Sequence, residues 1–105
     1  MEQPNYSYIN SLSGGDKAFE VKIMDIIKNE YPHERDIYFK NIAAKNFKEA
    51  AENVHKLKHK ISILGLEKSY EVASQFENNL KEDNAALQDE FNEILNVISL
   101  FLNKL

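Results

Sequence analysis

Apolar residues recur along most of this chain at intervals of three and four, the spacing that gathers side chains on one face of an α-helix. Four such stripes follow one another in the sequence: Phe19, Ile23, Ile26, Ile27, Tyr31, Tyr38 and Ile42; Phe47, Ala50, Val54, Leu57, Ile61 and Leu64; Leu66, Tyr70, Ala73, Phe76 and Leu80; and Leu87, Phe91, Ile94, Ile98, Phe101 and Leu105. The alternating pattern of a half-buried strand is absent. The pattern predicts an all-α fold, an antiparallel up-and-down four-helix bundle with a short extra N-terminal helix at about Tyr6 to Leu12.

Helix-ending residues separate the stripes. After the short first helix comes Ser13-Gly14-Gly15-Asp16, in which we expect Asp16 to cap the second helix, because its carboxylate can accept from free backbone N–H groups. Within the second helix, Pro32 removes a backbone donor and predicts a kink or a short interruption.

The remaining boundaries are also marked in the sequence. Asn46-Phe47-Lys48-Glu49 has the Asn-x-x-Glu form of an N-terminal cap for the helix that follows. Gly65 is expected to end that helix, since glycine tolerates the left-handed conformation common at helix C-termini. Asp83-Asn84 supplies a polar break and a capping residue before the last helix.

Composition limits the range of functions. With 105 residues, 43% of them hydrophobic, the chain is predicted to form one domain spanning residues 1–105. A net charge of −4 argues against nucleic acid or an anionic membrane as partner. The absence of cysteine excludes disulfides and thiolate chemistry, and no secretory leader or membrane-length apolar run is visible. We expect a cytoplasmic monomer.

The polar side of the helix after Asn46 carries the candidate chemistry. Lys48, His55, His59 and Ser62 fall about 120° from its apolar stripe, so His55 is predicted to face water. A neutral imidazole is a nitrogen nucleophile near neutral pH. Lys58 lies three residues after His55, close enough to place its ammonium beside a phosphoryl group bound to the His55 ring. The second ring nitrogen needs an acceptor that fixes the tautomer, and Glu77 is the candidate.

The residues His55-x-Leu57-Lys58 and Leu64-Gly65, together with the Gly14-Gly15-Asp16 turn, resemble the signature of the histidine phosphotransfer (HPt) domains of multistep phosphorelays. The resemblance covers nearly the whole chain and implies a four-helix bundle whose exposed histidine is reversibly phosphorylated on Nε2. It implies that His55 is the phosphoacceptor, that Lys58 stabilises phosphoryl charge, and that Glu77 orients the imidazole.

The same resemblance implies partners and cofactors. His55 would accept a phosphoryl group from an aspartate of one response-regulator receiver domain and pass it to another, and a hybrid sensor histidine kinase is a further candidate partner. Mg²⁺ would be held by the receiver and no cofactor by this chain, which would be a phosphoryl carrier without an ATP site. The docking surface is predicted at Lys48, Glu52, His59 and Ser62. The family usually has glycine at the position of His59.

Two alternatives stay open. Glu52, His55 and His59 lie at i, i+3 and i+7 and share a helix face on which they could bind a metal ion such as Zn²⁺. The chain could also be an inactive helical interaction module in which both histidines are ordinary solvated residues.

Overall fold

The structure, a computed structural model, describes residues 2–105, and Met1 lies outside the described residues. These residues form five α-helices and no strand: α1 (Ser7–Ser13), α2 (Lys17–Ala43), α3 (Phe47–Ile63), α4 (Glu67–Lys81) and α5 (Gln88–Asn103). The all-helical prediction and the short N-terminal helix are confirmed.

Helix α3 lies at the centre of the packing. It contacts α2 on one side and α4 on the other, while α5 packs on α4 and α2, and α1 packs on α2 and α3. The core contains a cluster of three aromatic rings, in which Tyr38 meets both Phe76 and Phe91 edge-on. The predicted apolar stripe of α3 is confirmed, since Ala50, Val54, Leu57, Ile61 and Leu64 are buried, and Phe47 packs against the core from its edge.

The inward face predicted for α2 is partly wrong. Met24, Ile27, Tyr31, Tyr38 and Ile42 are buried, whereas Phe19 is 37% exposed and Ile26 is 46% exposed. At about 100° per residue, Phe19 and Ile26 are rotated by roughly 80 to 100° from Ile27, away from the buried side. The buried face of α2 is therefore narrower than the predicted stripe.

Pro32 does not interrupt α2, which continues from Lys17 to Ala43 with the proline inside it. A tertiary contact holds the helix next to this position. The neighbouring Tyr31 is buried, and its hydroxyl donates to the carbonyl oxygen of Leu95 at 2.6 Å. Packing of this kind offsets the local cost of the missing backbone donor.

Of the side chains predicted to cap helix N-termini, only Asp16 makes the expected hydrogen bond. The carboxylate of Asp16 accepts from the N–H of Phe19 at 3.2 Å, as predicted. Asn46 occupies the N-cap position of α3, but its side chain makes no capping hydrogen bond. Instead of capping α5, Asn84 accepts from the N–H of Ala86 within the connecting turn, and α5 begins at Gln88 after Leu87 in the left-handed region.

The end of the chain also departs from its predicted stripe. Helix α5 ends at Asn103, so Leu105 lies beyond the last helical turn and is 50% exposed. Phe101 is only partly buried at the edge of the core, whereas Phe91, Ile94 and Ile98 are buried as predicted.

Residues before α1 hold the connection between α3 and α4. The backbone N–H of Asn5 donates to the carbonyl oxygen of Leu64 at 2.8 Å, and its side-chain amide donates to that of Gly65 at 3.2 Å. The carboxylate of Glu2 accepts from the N–H groups of Lys68 and Ser69 in the first turn of α4, where the helix dipole favours an anion. Gly65 itself has a φ of +76°. These contacts fix where α4 begins relative to α3.

Among the helices of residues 2–105, none combines the length and the apolar character that a membrane span requires.

The substitution Gly65→Ala should lower the free energy of unfolding by about 1 to 2 kcal/mol, because a Cβ is disfavoured at positive φ and would also collide with the Asn5 side chain. Urea unfolding followed by circular dichroism measures the change. Gly14→Ala is the matched control, since Gly14 has a φ of +61° but no neighbour within 4 Å of the new Cβ. Equal losses in the two variants would show that the Asn5 contact contributes nothing.

Candidate functional site

The imidazole of His55 stands between solvent and α4. His55 lies at the middle of α3, on a face turned away from its buried stripe, and its side chain is 53% exposed. Its Nδ1 faces the carboxylate of Glu77 on α4, at 3.2 Å from Oε2 and 3.4 Å from Oε1. Helix packing therefore brings together two residues that are 22 positions apart in the sequence.

Glu77 is a buried anion surrounded by donors. Its side chain is only 7% exposed, and the ammonium groups of Lys58 and Lys81 lie 2.9 and 3.2 Å from its two oxygens. Burial alone would raise the pKa of this carboxyl, but the hydrogen bonds from the two lysines outweigh burial and hold the pKa of Glu77 below its usual value. Glu77 is thus ionised at neutral pH.

The charge on Glu77 determines the tautomer of His55. An ionised carboxylate can only accept hydrogen bonds, so the proton of a neutral His55 ring must lie on Nδ1, which donates to Glu77. The lone pair is then on Nε2. Of the two ring nitrogens, the one directed away from Glu77 is therefore the one available to a nucleophilic reaction.

Lys58 does not extend freely into solvent. Its side chain is 14% exposed, its ammonium binds Oε1 of Glu77, and it lies 5.5 Å from the centre of the Tyr70 ring. A lysine ammonium has three donors, so the contact with Glu77 leaves donor capacity for another anion. Lys58 and His55 are thus attached to the same carboxylate.

His59 lies one turn after His55 and contacts it directly. The two Nε2 atoms are 3.4 Å apart, and the rings are perpendicular with their centres 4.9 Å apart. Because Nε2 of His55 carries the lone pair, this contact can be a hydrogen bond only if His59 carries a proton on its own Nε2. The ring of His59 therefore borders the exposed nitrogen of His55.

The four predicted docking residues are all exposed. Lys48 and Glu52 line a groove that runs from His55 between α3 and α4, with Ala51 and Leu80 contributing apolar surface. Ser62 instead borders a separate depression beside Asn5 and α1. Lys48 and Glu52 therefore precede His55 along α3, and His59 and Ser62 follow it.

Sequence reasoning missed Lys81. Its ammonium binds the same Glu77 oxygen as Nδ1 of His55, and its side chain also lines the groove. The only signal in the sequence is its position four residues after Glu77, a spacing common to many exposed ion pairs.

Lys60 is buried elsewhere, paired with Glu34 and Glu30 of α2 at 2.9 and 3.1 Å, and takes no part in the site.

Of the three residues proposed as metal ligands, His55 and His59 are in contact, and Glu52 lines the groove beside His55. Within residues 2–105, no group of three or more histidine, aspartate or glutamate side chains is arranged to hold a metal ion.

In comparisons with protein-family models, curated proteins and solved structures, nothing matches this chain.

The substitution Glu77→Gln should lower the free energy of unfolding by about 2 kcal/mol at pH 7, because it leaves partly buried Lys58 without its counter-ion. Since the pKa of Glu77 is lowered in the folded protein, the stabilisation is present above the unfolded-state pKa, about 4.3, and is lost as the pH falls through the lower folded-state value. The two proteins should therefore converge in acid.

Urea unfolding at neutral and acidic pH tests this dependence. Glu71→Gln, at an exposed position of the same helix, is the control and should leave stability nearly unchanged at both. A Glu77→Gln deficit that stays constant with pH would contradict the electrostatic explanation.

Proposed function

We propose that this chain is a histidine-containing phosphotransfer protein or domain of the HPt kind, with its main helices arranged as an antiparallel four-helix bundle. In this proposal, His55 accepts a phosphoryl group from an aspartyl phosphate on a receiver domain and passes it to a second receiver. The chain is a carrier, since His55 is consumed and regenerated while the partners supply the catalytic aspartate and Mg²⁺. We place this activity in the cytoplasm.

The observation that carries the proposal is the contact between Nδ1 of His55 and the ionised carboxylate of Glu77. It keeps the lone pair on Nε2 of a ring that is half exposed. An exposed nitrogen nucleophile held in one tautomer by a buried carboxylate matches what transfer from an acyl phosphate demands. A histidine that only interacts with solvent has no need of this support.

The chemical step follows from that arrangement. The Nε2 lone pair attacks phosphorus in line with the acyl oxygen, the N–P bond forms, and the O–P bond breaks with its electron pair remaining on the receiver carboxylate. The proton on Nδ1 stays in place, so the phosphorylated ring gains positive charge. Glu77 faces that charge and stabilises it, as the buried carboxylate of a Ser-His-Asp triad stabilises its imidazolium.

Lys58 is proposed to stabilise the phosphoryl oxygens. Its ammonium is held near His55 through their common partner Glu77, and its remaining donors suit the charge that spreads over these oxygens in the transition state. Lys48, Glu52, His59 and Ser62 are proposed to contact the receiver, and the chain is proposed to act as a monomer.

Incubation with a phosphorylated receiver domain should give an acid-labile, alkali-stable phosphate on this chain, because phosphate bound to nitrogen is lost in acid and kept in base. His55→Gln should abolish the label, and His33→Gln, at an exposed position on α2, should retain it. Label that persists in His55→Gln would contradict the assignment. Failure of every receiver to label the parent would favour an inactive interaction module.

The substitution Lys58→Ala should slow phosphoryl transfer to His55 by about ten-fold or more, because a preorganised positive charge is lost from the transition state. Rapid-quench measurement of the label gives the rate. Lys81→Ala is the matched control, since it also removes an ion pair with Glu77 but from the more exposed lysine, and we expect a smaller effect. An equal loss in both variants would assign the role of Lys58 to its support of Glu77 alone.

A further inference from the structure

We propose that His59 is a second functional imidazole of this site, which donates a hydrogen bond from Nε2 to the lone pair of His55 before transfer and to a phosphoryl oxygen afterwards. The inference rests on the phosphotransfer function proposed above and assigns to His59 a contact with the reacting atoms. It follows from the position of one ring against another and not from the type of fold.

The existing contact between His55 and His59 has a defined direction. The only ring proton of neutral His55 is on Nδ1, which donates to the carboxylate of Glu77, so Nε2 of His55 is an acceptor. The opposing Nε2 of His59 lies 3.4 Å away. Two unprotonated nitrogens would repel each other at this distance, so His59 must be the donor. The nucleophilic lone pair of the resting protein is therefore already hydrogen-bonded.

Phosphorylation of His55 would give the same donor a new acceptor. A phosphoryl group on Nε2 of His55 places three anionic oxygens two bonds from that nitrogen, in the direction that the lone pair had. The donor of His59 already points to this place, and a small rotation of its exposed side chain would bring it to one of those oxygens. The new hydrogen bond has an anionic acceptor and is roughly twice as strong as the neutral one it replaces.

The exchange has a measurable consequence. Since the resting hydrogen bond is lost and a stronger, charge-assisted one is gained, His59 should favour phosphorylated His55 over the free ring by roughly five-fold. A residue without a side-chain donor at this position would leave the lone pair more accessible but the phosphoryl group less stabilised. His59 therefore shifts the transfer equilibrium towards this chain.

The test uses phosphoimidazole as donor, because its reaction with His55 yields free imidazole and exchanges one N–P bond for another of the same kind. The equilibrium constant, measured by ³¹P NMR on the full chain, thus reports only what the protein adds. His59→Ala should lower this constant roughly five-fold. His59→Gln, which keeps an N–H donor, should restore most of the loss, and His33→Ala should change nothing.

The outcomes separate the two proposals. If His55 of the parent takes up phosphate and His59→Ala has the same equilibrium constant, or if His59→Gln behaves like His59→Ala, the role of His59 is refuted while the phosphotransfer function stands. If neither phosphoimidazole nor any phosphorylated receiver labels His55 of the parent, the function itself fails, and the role of His59 with it. Circular dichroism of each variant checks that α3 is intact.

Discussion

The site depends on one buried negative charge. Glu77 is almost fully removed from solvent, yet its carboxylate stays ionised because Lys58, Lys81 and the Nδ1–H of His55 surround it. Taking a carboxylate out of water is costly unless donors of this kind replace the lost hydration. The donors stabilise the charge of Glu77, and the carboxylate in turn holds these donors in place. Glu77 thereby joins α3 to α4 and fixes the orientation of the histidine at their junction.

The packing of α3 and α4 places His55 beside Glu77. Helix α3 is buried along one stripe against α2 and α4, so only its remaining face leaves His55 and His59 accessible to solvent. Asn5 binds the end of α3 and Glu2 binds the start of α4, on the two sides of the turn at Gly65. This turn determines the position of Glu77 relative to His55. The N-terminal segment is thus far from the histidines in the sequence but contributes to the geometry of the site.

The helices and the exposed position of His55 could be predicted from the sequence, because both follow from the local spacing of apolar residues. The stripe of α3 is regular enough to place His55 on the solvent side, and glycine at position 65 marks the helix end. The sequence did not reveal that the Asn46 side chain makes no capping bond, or that the buried face of α2 is narrower than its apolar stripe. Of the two outcomes predicted at Pro32, a kink or an interruption, the interruption does not occur. The donor environment of Glu77 could not be derived in full, since Lys81 has an ordinary i, i+4 spacing and nothing local indicates that the pair closes around a buried carboxylate.

The most direct test of the central claim is the tautomer of His55, measured by ¹⁵N NMR of the imidazole nitrogens in mildly alkaline buffer. If the ionised carboxylate of Glu77 keeps the ring proton on Nδ1, this nitrogen of His55 will have the chemical shift of a protonated nitrogen and Nε2 that of an unprotonated one. Glu77→Gln will weaken this preference. A His55 ring protonated on Nε2 in the parent protein would mean that the lone pair faces Glu77 and that the exposed nitrogen is not a nucleophile.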